Sequence, residues 1–209
     1  MEQTYMNHLN TSAEITINKS NFIGHIARTE SEDDAKAFIA SIKDKYKDAT
    51  HNCSAYIIGE HALIQRADDD GEPSGTAGVP MLEVLKREEL YNTTVVVTRY
   101  FGGIKLGAGG LIRAYARTTS EAVKAAGKVY LVMMHPVELT VDYTYTSAIE
   151  HLLKTDKISI AHTEYTDKVT YQLYVLVENI EPFQESIRAI TKNTHTISIK
   201  EEVPHERVL

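Results

Sequence analysis

Residues 99–113 combine glycines and cations in a pattern that favours the binding of an anion. This glycine-rich segment, as we call residues 99–113, contains five glycines and three cations and no acidic residue. Glycine lets the main chain approach a partner closely. The helix predicted to follow would add unpaired N–H groups and a partial positive charge at its first turn. We therefore expect a phosphate or a carboxylate to bind here.

No established nucleotide-binding pattern is matched. Residues 107–112 end in Ile112, where the dinucleotide-binding pattern requires glycine, and Ala108 stands where a P-loop has lysine. A structural interpretation stays open, in which the glycines only let a strand turn into a helix. The candidate residues for binding nucleic acid or another anion are Arg99, Tyr100, Phe101, Gly102, Gly103, Lys105, Gly107, Gly109, Gly110, Arg113 and Arg117. Tyr100 and Phe101 could stack on bases, but we expect at least one of them to lie in the core.

A second segment, residues 68–80, is rich in acidic residues, glycine and proline and is predicted to be a loop. The acidic groups of this acidic loop could cap backbone N–H groups, pair with the cations of the glycine-rich segment, or hold a metal ion. The spacing does not match an EF-hand, so we expect no metal and no cofactor. The residues expected to support the anion site are His51, Asn52, Asp69, Asp70, Gly71, Glu72, Ser74 and Thr76.

The sequence predicts no catalytic residue. Cys53 stands in an apolar run and is expected to be buried and inert. An enzymatic alternative would place a phosphate-bearing small molecule at residues 107–110, with Asp69, Asp70 or Glu72 holding a metal or acting as a base. We expect a binding protein rather than an enzyme.

The elements that must position these residues follow from hydrophobic periodicity. A strand over residues 93–98 precedes the glycine-rich segment, and a helix follows it and ends at Gly127. Upstream we expect a loose segment at residues 1–13, strands at 14–19 and 22–28, a helix beginning at Ser31, hairpin arms at 55–58 and 62–65 around residues 59–61, and a helix from Pro80 to about Arg87.

The pattern changes near residues 129–136, so two domains are expected, 1–134 and 135–209. The second is predicted to have strands at 137–143, 158–165, 169–177 and 196–201, helices at 147–154 and 182–191, and a frayed tail at 201–209. This β-α-β-β-α-β order is typical of a ferredoxin-like domain. Its threonine- and tyrosine-rich strands favour a protein-docking sheet over a reaction site.

Composition narrows the class of protein. The chain has 209 residues, a net charge of −7 and one cysteine, which fits a reducing, cytoplasmic setting. It has no apolar run long enough to cross a membrane and no signal-peptide pattern at its start. The net charge argues against a strongly basic nucleic-acid binder. Residues 99–117 nevertheless carry four cations and no acid, and a polyanion responds to this local potential.

Three motifs together resemble the IMPACT family, in particular its bacterial YigZ and YvyE branch. They are His51-Asn52-Cys53, the run from Asp69 to Gly78, and the run from Thr98 to Gly107. The resemblance implies an α+β fold, with an N-terminal ribosomal protein S5 domain 2-like domain and a C-terminal ferredoxin-like domain similar to domain V of elongation factor G. Eukaryotic relatives regulate translation initiation, and bacterial members are suspected to bind RNA or the ribosome. No catalytic residue is carried over from the family.

Three hypotheses about function follow. The first is a cytoplasmic, translation-associated protein that binds RNA or the ribosome through the glycine-rich segment. The second is an enzyme or binder of a phosphate-bearing small molecule or nucleotide at the same helix start. The third is a module that docks a protein partner on its C-terminal sheet. No membrane partner is expected.

Overall fold

The computed structural model describes residues 4–59 and 61–209. The chain forms two compact units. The first contains the residues up to Tyr130 together with Val208–Leu209, and the second contains Leu131–Arg207. The predicted domain boundary after residue 134 stays a prediction.

The first unit is built on a five-stranded antiparallel sheet. Its strands, in chain order, are β2 (Thr11–Ile17), β3 (Ser20–Arg28), β4 (His51–Ile58), β5 (Ile64–Asp68) and β6 (Thr93–Tyr100). The order across the sheet is β2-β3-β6-β4-β5, so β6 lies in the centre. A two-residue strand, β1 (Met6–Asn7), pairs separately with the beginning of β7 (Lys128–Val141).

Helices cover both faces of this sheet. α1 (Glu32–Lys45) packs against one face, and α2 (Gly78–Arg87) and α3 (Gly107–Ala126) pack against the other. Side chains alternate between the two faces along each strand. Val95 and Val97 of β6 therefore belong to the core under α2 and α3, whereas Tyr56 of β4 packs against α1. A strand buried on both faces explains the continuous β-branched run in β6.

Several sequence predictions for this unit are confirmed. Ser31 caps α1 by accepting a hydrogen bond from the N–H of Asp34. α2 ends at Arg87, and α3 ends at Ala126 before Gly127, whose φ of 68° is accessible to glycine.

Other predictions are wrong. The loose segment expected at residues 1–13 contains β1 and the start of β2, and the first hairpin arm begins at His51 rather than at residue 55. The tail expected to fray at residues 201–209 contains β11 (Val203–Val208). These stretches are ordered by backbone pairing, which short or polar sequences do not reveal. Residues 1–3 of the predicted loose segment lie outside the described residues, and so does Glu60 of the predicted hairpin turn.

The second unit contains most of β7. It is followed by α4 (Thr146–Thr155), β8 (Ser159–Tyr165), β9 (Val169–Leu176), α5 (Ile180–Thr191) and β10 (Thr196–Ile199). The strands lie in the order β10-β7-β9-β8, all antiparallel. Leu139 and Tyr171 of the sheet form a core with Ile149 of α4 and Phe183 of α5. Among the described residues, no helix has the length and apolar character needed to cross a membrane.

Candidate functional site

Arg99 is a buried residue of the sheet. It continues the row of Val95 and Val97 that faces α2 and α3, and it lies opposite Phe22 of β3 and His51 of β4. Only 5% of Arg99 is exposed. The expectation that Arg99 contributes to an open cationic surface is therefore wrong, because strand alternation turns its side chain inward.

Glu72 neutralises this buried arginine. Arg99 Nη1 donates to Glu72 Oε1 at 2.5 Å, and the Tyr115 hydroxyl of α3 donates to the same oxygen at 2.8 Å. Burial raises the pKa of Tyr115, so its hydroxyl remains a donor. Glu72 thus connects the acidic loop, β6 and α3. The sequence left open whether the acidic loop pairs with the cations of the glycine-rich segment, and Glu72 forms such a pair with Arg99.

Asp69 and Asp70 also have structural partners. Asp69 accepts hydrogen bonds from the N–H groups of Gly75, Ala77 and Gly78, which lie just before and at the start of α2. Burial would raise the pKa of Asp69, but these three N–H groups outweigh burial and lower it. Asp70 accepts from the Asn52 N–H and from Lys43 Nζ, both at 2.6 Å.

His51 and Asn52 attach β4 to its surroundings. His51 Nδ1 lies 2.8 Å from the carbonyl oxygen of Asp70, which can only accept, so Nδ1 carries the proton. His51 Nε2 is 3.8 Å from Glu72 Oε2. Asn52 Oδ1 accepts from the Thr98 hydroxyl at 2.7 Å.

The remaining candidates in the acidic loop shape its turns. Gly71 has a φ of 86°, which favours glycine, and it lies against the His51 ring. The Thr76 hydroxyl donates to the Pro73 carbonyl at 2.6 Å, whereas Ser74 is exposed.

The open cations lie around the first half of α3. Lys105, Arg113 and Arg117 are exposed, and no acidic group in the described ranges comes within ion-pair distance of any of them. α3 begins at Gly107, and no side chain in the described part of the chain forms a capping hydrogen bond at its first turn. Gly109 and Gly110 lie in that turn, so its N–H groups are available to an external acceptor.

Two glycines of the segment have different roles. Gly102 donates its N–H to Ser20 Oγ, and a Cβ atom at this position would overlap the Lys19 carbonyl group. Gly102 is therefore required by the protein's own packing. Gly103 is exposed and has a φ of 84°.

Tyr100 is half-buried and Phe101 is exposed, so neither belongs to the core and the expectation that at least one of them does is wrong. The Tyr100 hydroxyl donates to Asp48 at 3.1 Å. Phe101 is 45% exposed, and its ring centroid is 5.4 Å from Arg99 Cζ. β6 ends at Tyr100, so Phe101 lies just beyond the strand.

A cavity of about 450 Å³ opens beside the helix start, between the acidic loop and the glycine-rich segment. Its lining is Thr50, His51, Glu72, Pro73, Arg99, Phe101, Lys105, Leu106, Gly107, Ala108 and Leu111. The sequence analysis did not identify Thr50, Pro73, Leu106 and Leu111 as members of a site. Of these four, only Leu111 had been predicted to face inward, from its helical spacing.

The described residues contain no group of three or more His, Cys, Asp or Glu side chains arranged to hold a metal ion. Cys53 is fully buried, as expected, and its Sγ donates to the Asp69 carbonyl. Burial raises the pKa of Cys53 to about 12, which leaves it protonated and unreactive near neutral pH.

Comparison with known proteins covers both units. Residues 18–123 match the Impact N-terminal domain, and residues 139–194 match a domain of unknown function, DUF1949. A solved structure described as a hypothetical protein is similar, with a TM-score of 0.60, 30% identity, and coverage of 94% of this chain and 97% of that one.

Similar proteins from several organisms bear the IMPACT name. The chain is 48% identical to the IMPACT family member YvyE of Bacillus subtilis, over 88% of this chain and 85% of that protein. It is 32% identical to the IMPACT family member YigZ of Escherichia coli, over 85% and 88%. The Protein IMPACT homolog of Saccharomyces cerevisiae is 36% identical over 54% of this chain and 45% of that protein. With its first unit matched by the Impact domain and nearly its whole length by bacterial members, this chain belongs to the IMPACT family.

Proposed function

We propose that this protein binds RNA, free or within the ribosome, through the first half of α3, and that it acts in the regulation of translation. The observation that carries the proposal is the group of three exposed cations, Lys105, Arg113 and Arg117, which have no acidic partner in the described part of the chain. Cations without internal partners are available to phosphates.

The arrangement of these cations supports binding to a phosphate backbone. Arg113 and Arg117 are four residues apart on α3, so they lie on one side of the helix. Lys105 precedes the uncapped first turn, whose N–H groups also attract anions. Contacts of this kind fix an RNA backbone without reading its sequence, so we expect affinity that depends on salt and tolerates changes in RNA sequence.

Membership in the IMPACT family supports the proposed role in the regulation of translation.

The strand order β10-β7-β9-β8 supports a ferredoxin-like fold for the second unit. We retain 1–134 and 135–209 as the proposed domains, and we propose that the acidic loop supports the RNA-binding surface. Its Glu72 and Asp69 contacts hold β6, α2 and α3 in place.

The test is a titration of the full chain with single-stranded RNA at two salt concentrations. Lys105→Ala and Arg113→Ala should each weaken binding, and more strongly at low salt, because each removes a phosphate contact. Lys124→Ala is the matched control, since Lys124 is an exposed lysine in the last turn of α3. Affinities of Lys105→Ala and Arg113→Ala equal to that of Lys124→Ala would discard the assigned surface.

We also propose a protein partner for the C-terminal sheet, on a separate observation. β8 pairs only with β9 among the described strands, and it exposes Ile160 by 47% and Tyr165 by 62%. A sheet edge with exposed apolar side chains is suited to pairing with another chain. Co-precipitation before and after nuclease treatment tests this, with Ile160→Thr as the variant. A partner retained after nuclease and lost in Ile160→Thr is the expected result.

A further inference from the structure

The cavity beside α3 has a lining that an inorganic anion would not fill. Its apolar wall consists of Pro73, Phe101, Leu106 and Leu111, and Phe101 is 45% exposed. A volume of about 450 Å³ lies in the usual range of sites for small organic ligands, about 300–1,000 Å³. The ligand class must therefore have an apolar, flat or bulky part.

The charges at the cavity select an anion. The charge of Arg99 is balanced by Glu72, which lies 2.5 Å away. Lys105 and the uncapped first turn of α3 remain as unbalanced positive groups on the lining. An acidic group on the ligand would thus lie at the α3 end of the cavity.

An unsatisfied donor supplies independent evidence for a ligand. Arg99 is 95% buried and lines the cavity, yet its Nε has no hydrogen-bond partner among the residues that the structure describes. A buried donor without a partner is costly and calls for an explanation. The Nε atom is closed to water in this conformation, so a ligand acceptor would complete the hydrogen bonding of Arg99 once the guanidinium turns towards the cavity.

We propose that this cavity takes up one nucleotide unit, with its base against Phe101 and Leu106 and its phosphate at the first turn of α3 beside Lys105. A nucleobase supplies both the flat apolar face and the carbonyl or ring acceptors that these walls require. This inference rests on the RNA-binding function proposed above. The nucleotide is either part of an RNA chain or a free mononucleotide, which share the chemistry recognised here.

The experiment fills the cavity without changing charge. Ala108 is an exposed lining residue in the first turn of α3, and Ala125 is an exposed residue in the last turn of the same helix. Ala108→Leu and Ala125→Leu are therefore matched, since both add the same side chain to α3. Phe101→Ala is a second variant that removes the stacking wall. Each full-length protein is titrated with single-stranded RNA and with 5′-mononucleotides, with the nucleosides and inorganic phosphate as reference probes.

The expected result is that Ala108→Leu and Phe101→Ala each weaken binding by about tenfold, as loss of one stacked base does, whereas Ala125→Leu binds as the wild type does. Measurable mononucleotide binding identifies a free nucleotide as a source, and an effect seen with RNA alone identifies a nucleotide of the chain. If RNA binding depends on Lys105 and Arg113 but not on Ala108 or Phe101, the cavity proposal is overturned and the RNA proposal stands. If mononucleotides bind in the cavity and RNA does not, the RNA proposal fails and the cavity proposal stands. If inorganic phosphate binds as tightly as mononucleotides, the base is not recognised and the cavity proposal is overturned.

Discussion

Arg99 and Lys105 are six residues apart in the same cationic segment, and they have different roles. Arg99 is turned under the helices and is held by Glu72, whereas Lys105 is exposed beside the start of α3. Breaking a buried pair leaves an uncompensated charge, while an exposed charge contributes little to stability. At the scale of single residues, the segment is thus divided into a structural cation and binding cations.

Glu72→Gln tests the structural role of the buried pair. The substitution preserves shape but leaves Arg99 charged and unpaired, so the free energy of unfolding should fall by about 3–5 kcal/mol. Urea unfolding measures it. Glu83→Gln is the control, since Glu83 is an exposed partner of Lys86, and its effect should stay within about 0.5 kcal/mol. Equal effects of the two substitutions would contradict the role given to Glu72.

The buried residue His25 is expected to destabilise the folded protein in acid. It is 6% exposed, and burial, followed by the nearby charge of Lys45, lowers its pKa to about 4. The unfolded chain has a histidine pKa of about 6.5, so protonation favours the unfolded state as the pH falls from about 6.5 towards the folded value. The free energy of unfolding should therefore fall across this window by up to about 3 kcal/mol.

Urea unfolding of His25→Gln at pH 7 and pH 4.5 checks this effect. The variant should lose less stability between the two pH values than the wild type does. His162→Gln, which alters an exposed histidine of β8, should behave as the wild type. Identical pH dependence in wild type and His25→Gln would contradict the prediction.

Arg99 shows which parts of this site can be predicted from the sequence and which cannot. Counting alternate positions from Val95 and Val97 leads to Arg99, so its inward direction is available once the strand is extended to Tyr100. The pairing of Arg99 with Glu72 cannot be predicted from the sequence, because Glu72 lies in an irregular loop whose path no periodicity describes. The cavity is likewise beyond the sequence, since its walls come from the ends of β4 and β6, the acidic loop and α3.

At the scale of elements, the bend between β6 and α3 sets the position of the binding cations. The strand, bend and helix were predictable because a β-branched run, clustered glycines and helical spacing follow each other in the sequence. β1 and β11 were not predictable, because they are ordered by pairing with distant strands and have little pattern of their own. The glycines of the glycine-rich segment differ in their role, as a comparison of Gly102 in the bend with Gly109 in the first turn of α3 shows.

Gly102→Ala should destabilise the protein, and Gly109→Ala should not. A Cβ atom at Gly102 would overlap the Lys19 carbonyl oxygen, so the bend must shift away from the turn between β2 and β3. At Gly109 the nearest atom is the end of the Arg113 side chain at 3.8 Å, and alanine is favoured in a helix. We expect a loss of about 2 kcal/mol or more for Gly102→Ala, against no loss or a gain of up to about 1 kcal/mol for Gly109→Ala. Thermal unfolding distinguishes them, and a stable Gly102→Ala protein would contradict the packing role of this glycine.

At the scale of the whole molecule, a net charge of −7 is combined with a local group of open cations. An acidic protein repels RNA at long range, so binding must depend on the local potential around α3. This combination predicts an affinity that falls steeply with salt and is greatly weakened, with a smaller dependence on salt, when the three cations are removed.

The most direct test is the slope of the logarithm of the RNA-binding constant against the logarithm of salt concentration. For single-stranded RNA each phosphate contact contributes about −0.7 to that slope, so removing Lys105, Arg113 and Arg117 together should make it shallower by about 2. The same protein with Lys124→Ala alone should keep the slope of the wild type. Parallel lines for the wild type and the triple variant would contradict the claim that these three side chains bind the RNA backbone.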